Sequence, residues 1–174
     1  MAARIKLTQA IPVSLAGSCG QSVAPGDIRG GRMKLVKHLL DGKGRDIISI
    51  GPEDSVLDAI KLMADKGIGS LVVMQDDEML GIMSERDYAR KVIIKGRSSE
   101  TTHVAEIMTA NVFTTSSSKT VNECMSLMTE EKIRHLPVLE DNRVIGMISI
   151  GDLVKAIIAD QQEEIEQLEH YISG

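Results

Sequence analysis

Residues 46 to 93 overlay residues 111 to 158 at a constant offset of 65, without a gap. No other feature limits the fold as much, because a chain carrying one unit twice has to bury the two copies together in a shared core. The matched positions are mostly apolar: Val56 and Val121, Leu62 and Leu127, Met63 and Met128, Ile68 and Ile133, Leu71 and Leu136, Val73 and Val138. Three matched pairs are polar or special, and they lie close together: Gly81 with Gly146, Ser84 with Ser149, Asp87 with Asp152.

Each copy begins with a short extended segment, "DIISI" or "NVFTT", followed by a stretch with apolar residues at helical spacing, for which Ser55 and Thr120 are N-caps. Two strand-like runs separated by "DDE" or "DNR" predict a hairpin, and a second helix opens at the Ser or Asp of the repeated motif. Each copy therefore reads β-α-β-β-α, preceded by a helix over "MKLVKHLL" or "TTHVAEIM". Half a sheet and two helices cannot bury a full core alone, so the expected fold is α+β, with the copies packed sheet against sheet about a pseudo-two-fold axis. The expected boundaries are an extension over 1–32, a first repeat over 33–100, a second over 101–158 and a C-terminal helix over 159–174.

Residues 1–32 are rich in glycine and small residues, lack an acidic residue before Asp27 and show no sustained period, which reads as a flexible extension. A targeting peptide is the alternative, although the apolar stretch from Ile11 to Ala16 is short and interrupted by Pro12. No apolar run approaches the ~20 residues of a bilayer span. A net charge of -5 and only three aromatic residues, Tyr88, Phe113 and Tyr171, argue against a nucleic-acid partner. Cys19 and Cys124 have no paired spacing, which suits a reducing, cytoplasmic setting. Neither metal-ligand spacing nor a catalytic constellation is present in the pattern, so neither a metal nor an enzymatic activity is expected.

The order of these features, a Gly-apolar-Ser-Asp motif closing the third strand and "RHLPV" opening the hairpin, resembles a tandem pair of CBS domains, the regulatory Bateman module. The stretch "SERDYARKVIIKGRSSETTHVAEIMT" and the ending "HYISG" resemble stand-alone CBS-pair proteins of bacteria and plant organelles. The resemblance implies an adenine nucleotide, AMP, ATP or NAD(H), as a regulatory ligand in the cleft between copies, with no catalytic cofactor. Asp87 and Asp152 would then accept hydrogen bonds from ribose hydroxyls, while Ser84 and Ser149 meet phosphate. For a single copy, helix capping alone is the better explanation of the Ser and Asp; the duplication in identical settings shifts the preference to a ligand.

In the family the base slot comes from the first strand and its turn, here Ile48, Ser49, Ile50 and Pro52 in one copy and Phe113, Thr114 and Thr115 in the other. Arg86, Arg134 and His135 are the candidates for phosphate, with Leu136 and Pro137 continuing the same stretch. Gly69 and Ser70 stand where the second copy has Arg134 and His135, and this asymmetry implies one strong site and one weaker or empty one. The family precedent is a homodimer, for which the apolar stripe of Leu153, Ile157, Ile158, Ile165, Leu168 and Ile172 is a suitable seal. The alternative reading is an accessory subunit regulating an enzyme or transporter encoded elsewhere, and the protein target is unspecified.

Overall fold

The computed structural model describes residues 34–173; the expected extension over 1–32 and the helix start at Met33 lie outside them. Helix α1 (Val36–Lys43) precedes β1 (Ser49–Ile50), α2 (Val56–Lys66) and the hairpin β2 (Ser70–Gln75) and β3 (Glu78–Ser84). A short α3 (Glu85–Tyr88) runs into a π turn at Ala89–Ile93. The second copy follows as α4 (Val104–Ile107), α5 (Val121–Glu130), the hairpin β4 (His135–Glu140) and β5 (Arg143–Ser149), and the long α6 (Ile150–Ser173). Helix α6 continues unbroken past residue 158, to a length of ~36 Å at 1.5 Å per residue.

The duplication extends to single hydrogen bonds. Ser70 pairs with Ser84 and His135 with Ser149, Leu71 with Met83 and Leu136 with Ile148, and the ladder shifts after Val73 as it does after Val138. Ser55 Oγ accepts from Asp58 N and Thr120 Oγ1 from Glu123 N, as the sequence predicts for the caps of α2 and α5. One bond breaks the symmetry. Val72 N donates to Ile48 O in the first copy, at 3.3 Å, but its counterpart Pro137 has no N–H to offer Phe113 O. Accordingly β1 pairs in parallel with β2 over two residues, whereas the equivalent segment of the second copy touches β4 only at the Thr115–Val138 bridge.

The leading helices are exchanged between copies. Val36 and Leu40 of α1 are buried in the core of the second copy, with Val121, Cys124, Met128, Leu136, Ile148 and Leu153. Val104 and Ile107 of α4 join the first core, beside Val56, Met63, Leu71 and Met83. The docking is equivalent at both sites: Val36 N donates to Lys119 O and Lys37 N to Ser117 O, while Val104 N donates to Asp54 O and Ala105 N to Pro52 O. A third cluster, with Val72, Met79 and Val112 at its centre and Ile82, Leu139 and Met147 around it, joins the two sheets.

This exchange explains the repeated glycine. A Cβ on Gly81 would lie 2.6 Å from Thr109 O, where the chain leaving α4 pairs with Ile82, and one on Gly146 would lie 2.7 Å from Leu40 Cδ2 of α1. At Gly81 only glycine lets the exchanged backbone approach the third strand so closely, whereas at Gly146 the end of the Leu40 side chain would have to move aside.

Candidate nucleotide site

Each copy turns from its third strand into a helix through a reciprocal capping box. Ser84 Oγ accepts from Asp87 N while Asp87 Oδ2 accepts from Ser84 N at 3.0 Å and Ser84 Oγ at 2.7 Å. Ser149 and Asp152 repeat the arrangement at 2.7 and 2.8 Å. The strand register sets what surrounds each box. In the second copy Ser149 pairs with His135, and Phe113, two residues before the Thr115 bridge, lies beside the start of β4. In the first, Ser84 pairs with the buried Ser70, and Ile48 and Ser49 lie beside the same end of β2. The expected slot residues and the Ser-Asp motif thus share one end of each sheet.

Their chemistry differs. Asp87 Oδ1 is occupied by the Lys91 ammonium at 2.8 Å and accepts from Thr109 Oγ1 at 3.4 Å, so both carboxylate oxygens are committed. Lys91 also donates to Ile107 O, which ties the carboxylate to α4. At Asp152 one oxygen does everything: Oδ2 receives the Ser149 bonds and the Lys43 ammonium at 2.7 Å, and Oδ1 has no partner among the described residues. Burial opposes ionisation of Asp152, but the Lys43 ammonium and the Ser149 N–H and O–H outweigh it and hold the carboxyl below its usual range.

Copies meet at the centre of the cleft. A Cβ on Gly69 would lie 3.7 Å from His135 Cε1 and 3.4 Å from Glu85 Oε2, and Arg86 Nη1 reaches across to donate to Lys132 O at 3.0 Å. Lys132 holds the left-handed conformation that Gly67 takes in the first copy. Burial pushes the His135 imidazole below its usual pKa, and Lys43, Arg134 and Arg86 push in the same direction against the opposing Asp152. Arg86, Arg134, His135, Asp152 and Lys43 therefore form one electrostatic cluster. Leu136 is buried in the second core rather than facing it, and Pro137 acts through its missing N–H.

Phe113 packs half-buried against the second core, and no backbone N–H among the described residues donates to its carbonyl. Thr114 is half-buried. Thr115 is committed to β4, donating to Pro137 O, accepting from Leu139 N and placing Oγ1 3.3 Å from Cys124 Sγ. Ile48 and Ile50 pack on the first core, Ser49 is exposed, and the Pro52 carbonyl is taken by the Ala105 amide of α4. Lys43, Lys91, Thr109 and Glu85 were not singled out by sequence. Glu85 and Lys91 stand in or just after the repeated motif, but Lys43 reaches the site only because α1 crosses to the other copy.

The CBS domain model matches residues 43–93 and 104–159. The chain belongs to the CBS-domain family. As a CBS pair it is similar to the CBS domain-containing protein CBSX3, mitochondrial, of Arabidopsis thaliana, with 44% identity over 127 residues covering 70% of this chain and 62% of that protein. The match thus spans less than two thirds of the plant relative. Among solved structures, a signal-transduction protein with CBS domains from Burkholderia ambifaria is 53% identical, with a TM-score of 0.71, over 74% of this chain and 96% of that one. The CBS domain pair of protein MJ0100, determined in complex with 5′-methylthioadenosine and S-adenosyl-L-methionine, is 25% identical with a TM-score of 0.65, over 73% of this chain and 98% of that one. No helix among the described residues is long and apolar enough to cross a membrane, and no cluster of three or more His, Cys, Asp or Glu among them could hold a metal ion.

Proposed function

We propose that this CBS pair is a regulatory sensor that binds an adenine nucleotide, AMP, ATP or NAD(H), and that the second copy holds the stronger site. The observation that carries this reading is Oδ1 of Asp152, which has no partner among the described residues, an ionised carboxylate oxygen at a helix start beside a cationic cluster. A ribose hydroxyl would donate to Oδ1, and the phosphates would lie toward Arg86, Arg134, His135 and Lys43. The free carbonyl of Phe113 would accept from an adenine amino group, a bond that guanine, with a carbonyl at that position, cannot offer. The adenosine-type ligands of MJ0100 support the ligand class. In this reading the protein is not itself an enzyme, two copies pair, and the compartment is cytoplasmic, although the plant relative is named as mitochondrial.

The test is a thermal-shift panel of AMP, ATP, NAD(H), adenosine, GMP and GTP on the intact chain, followed by calorimetric titration. A ligand that binds only the folded state raises the melting temperature by mass action. Adenine nucleotides are expected to stabilise the protein more than their guanine counterparts. Equal or absent shifts across the panel would refute the reading.

A further inference from the structure

At the junction between β3 and α3 the first copy places an acid where the second has a hydrocarbon. Glu85 is the repeat counterpart of Ile150, and both backbones are pinned alike: Glu85 N donates to Gly69 O at 3.2 Å and Ile150 N to Arg134 O at 2.9 Å. Ile150 packs against the second core. Glu85 is exposed instead, and its carboxylate reaches the contact between copies: the Cβ that Gly69 lacks would lie 3.4 Å from Glu85 Oε2 and 3.7 Å from His135 Cε1. The carboxylate of the first copy and the imidazole of the second thus border the same small space.

No structural bond uses this carboxylate. Among the described residues Glu85 forms no ion pair, and neither does Arg86 or Arg134. Arg86 donates only to a neutral carbonyl, Lys132 O, and Lys43 is committed to Asp152 at 2.7 Å. Burial keeps the His135 imidazole below its usual pKa, so at neutral pH the ring adds a hydrogen-bond donor rather than a charge. The cluster therefore offers two uncompensated guanidinium groups, bounded by one carboxylate. A phosphate monoester carries about −1.5 to −2 charge at pH 7, which two guanidinium groups neutralise. Each further phosphate adds charge for which the cluster has no uncommitted cation, and it meets the Glu85 carboxylate instead.

We propose that Glu85 limits the charge of the ligand, so that the second copy's site selects an adenine nucleotide carrying about two negative charges and rejects ADP and ATP. AMP and NADH both satisfy this limit, one with a phosphate monoester and the other with two diester phosphates. The inference rests on the nucleotide reading of the Asp152 site.

The test is calorimetric titration of the full chain with adenosine, AMP, NADH, ADP and ATP in EDTA, which keeps metal ions from screening the polyphosphates. The wild type is expected to bind AMP ~10-fold or more tightly than ATP, with ADP between them. Glu85→Gln is expected to tighten ATP ~5-fold or more while moving AMP and adenosine by less than ~2-fold, and Glu85→Lys to bring ATP level with AMP or ahead of it. Glu163→Gln removes an exposed carboxylate on the distal part of α6 and is expected to leave the ratio of ATP to AMP affinity unchanged, which separates a local effect from one of net charge. The wild-type preference should narrow as salt rises. NADH is expected to group with AMP, and their separate titrations tell the two apart; NADH grouping with ATP would make size rather than charge the criterion and overturn the inference. Equal affinity of the wild type for AMP and ATP, or an equal gain for every nucleotide in Glu85→Gln, overturns it while leaving the nucleotide reading in place. Failure of every adenine compound to bind overturns that reading, and this inference with it.

Discussion

The two Ser-Asp boxes have nearly identical backbones and opposite availability. At Asp87 the fourth residue along the same helix, Lys91, reaches back and Thr109 completes the second oxygen. At Asp152 the repeat counterpart of Lys91 is Ala156, which has no charge, and the cation comes from Lys43 on the exchanged α1, to the oxygen already bonded by Ser149. The difference teaches that duplicating a strand-helix junction duplicates its geometry, while the ligand-facing chemistry is set by a position that diverged between the copies, Lys91 against Ala156, and by Thr109 and Lys43 from outside the repeat.

The largest expected break in this comparison is in binding. Asp152→Ala removes a charge-assisted ribose bond of roughly 1.5 to 3 kcal/mol, an affinity loss of ~10- to 150-fold for the preferred adenine nucleotide by calorimetry, whereas Asp87→Ala leaves that affinity within ~3-fold. Equal losses in both variants would put the copies on the same footing. Next in size is stability at the paired glycines. Gly81→Ala drives a methyl against the Thr109 backbone and is expected to lower stability by about 1 to 3 kcal/mol, while Gly146→Ala meets only the flexible end of Leu40 and should lower it by less than half as much, read from denaturant titrations.

These residues also divide what the sequence disclosed from what it hid. The offset of 65, the caps Ser55 and Thr120 and the Ser-Asp boxes depend on local spacing and are visible in one dimension. The exchange of α1 and α4 is not, because nothing in "MKLVKHLL" distinguishes packing on its own repeat from packing on the other. Lys43 was hidden with it. The effect of Pro137 was visible in principle, since its alignment with Val72 marks one ladder bond that the second copy cannot make.

Smaller effects sharpen the electrostatic half of the comparison. Lys43→Met removes the ammonium that draws charge from the Asp152 carboxylate through Oδ2 and leaves Oδ1 the stronger acceptor, so uncharged adenosine is expected to bind roughly 2- to 5-fold more tightly, while Lys91→Met changes it little; the surface ion pair itself is worth at most about 1 kcal/mol. The smallest effect is in pH. The folded protein holds the His135 pKa below its unfolded value, so the unfolded chain binds more protons between the two and stability falls as pH drops below about 6.5. A bound phosphate raises that pKa, so nucleotide monophosphate affinity should increase ~3-fold as pH falls from 8 to 6, and His135→Gln should flatten the profile.

The crossing of the leading helices also has a consequence in time. Helix α1 leaves the ribosome early, but the carbonyls it docks on, Ser117 O and Lys119 O, are made about 80 residues later, several seconds at ~5–20 residues per second. Throughout that interval Val36 and Leu40 have no core to enter, and the first repeat waits for α4 to cover Gly81. The first repeat can therefore close its core as soon as α4 has been made, whereas α1 stays uncovered until the second repeat follows. The second core closes last, and the apolar face of α1 is the segment that a translating cell has to keep from premature association.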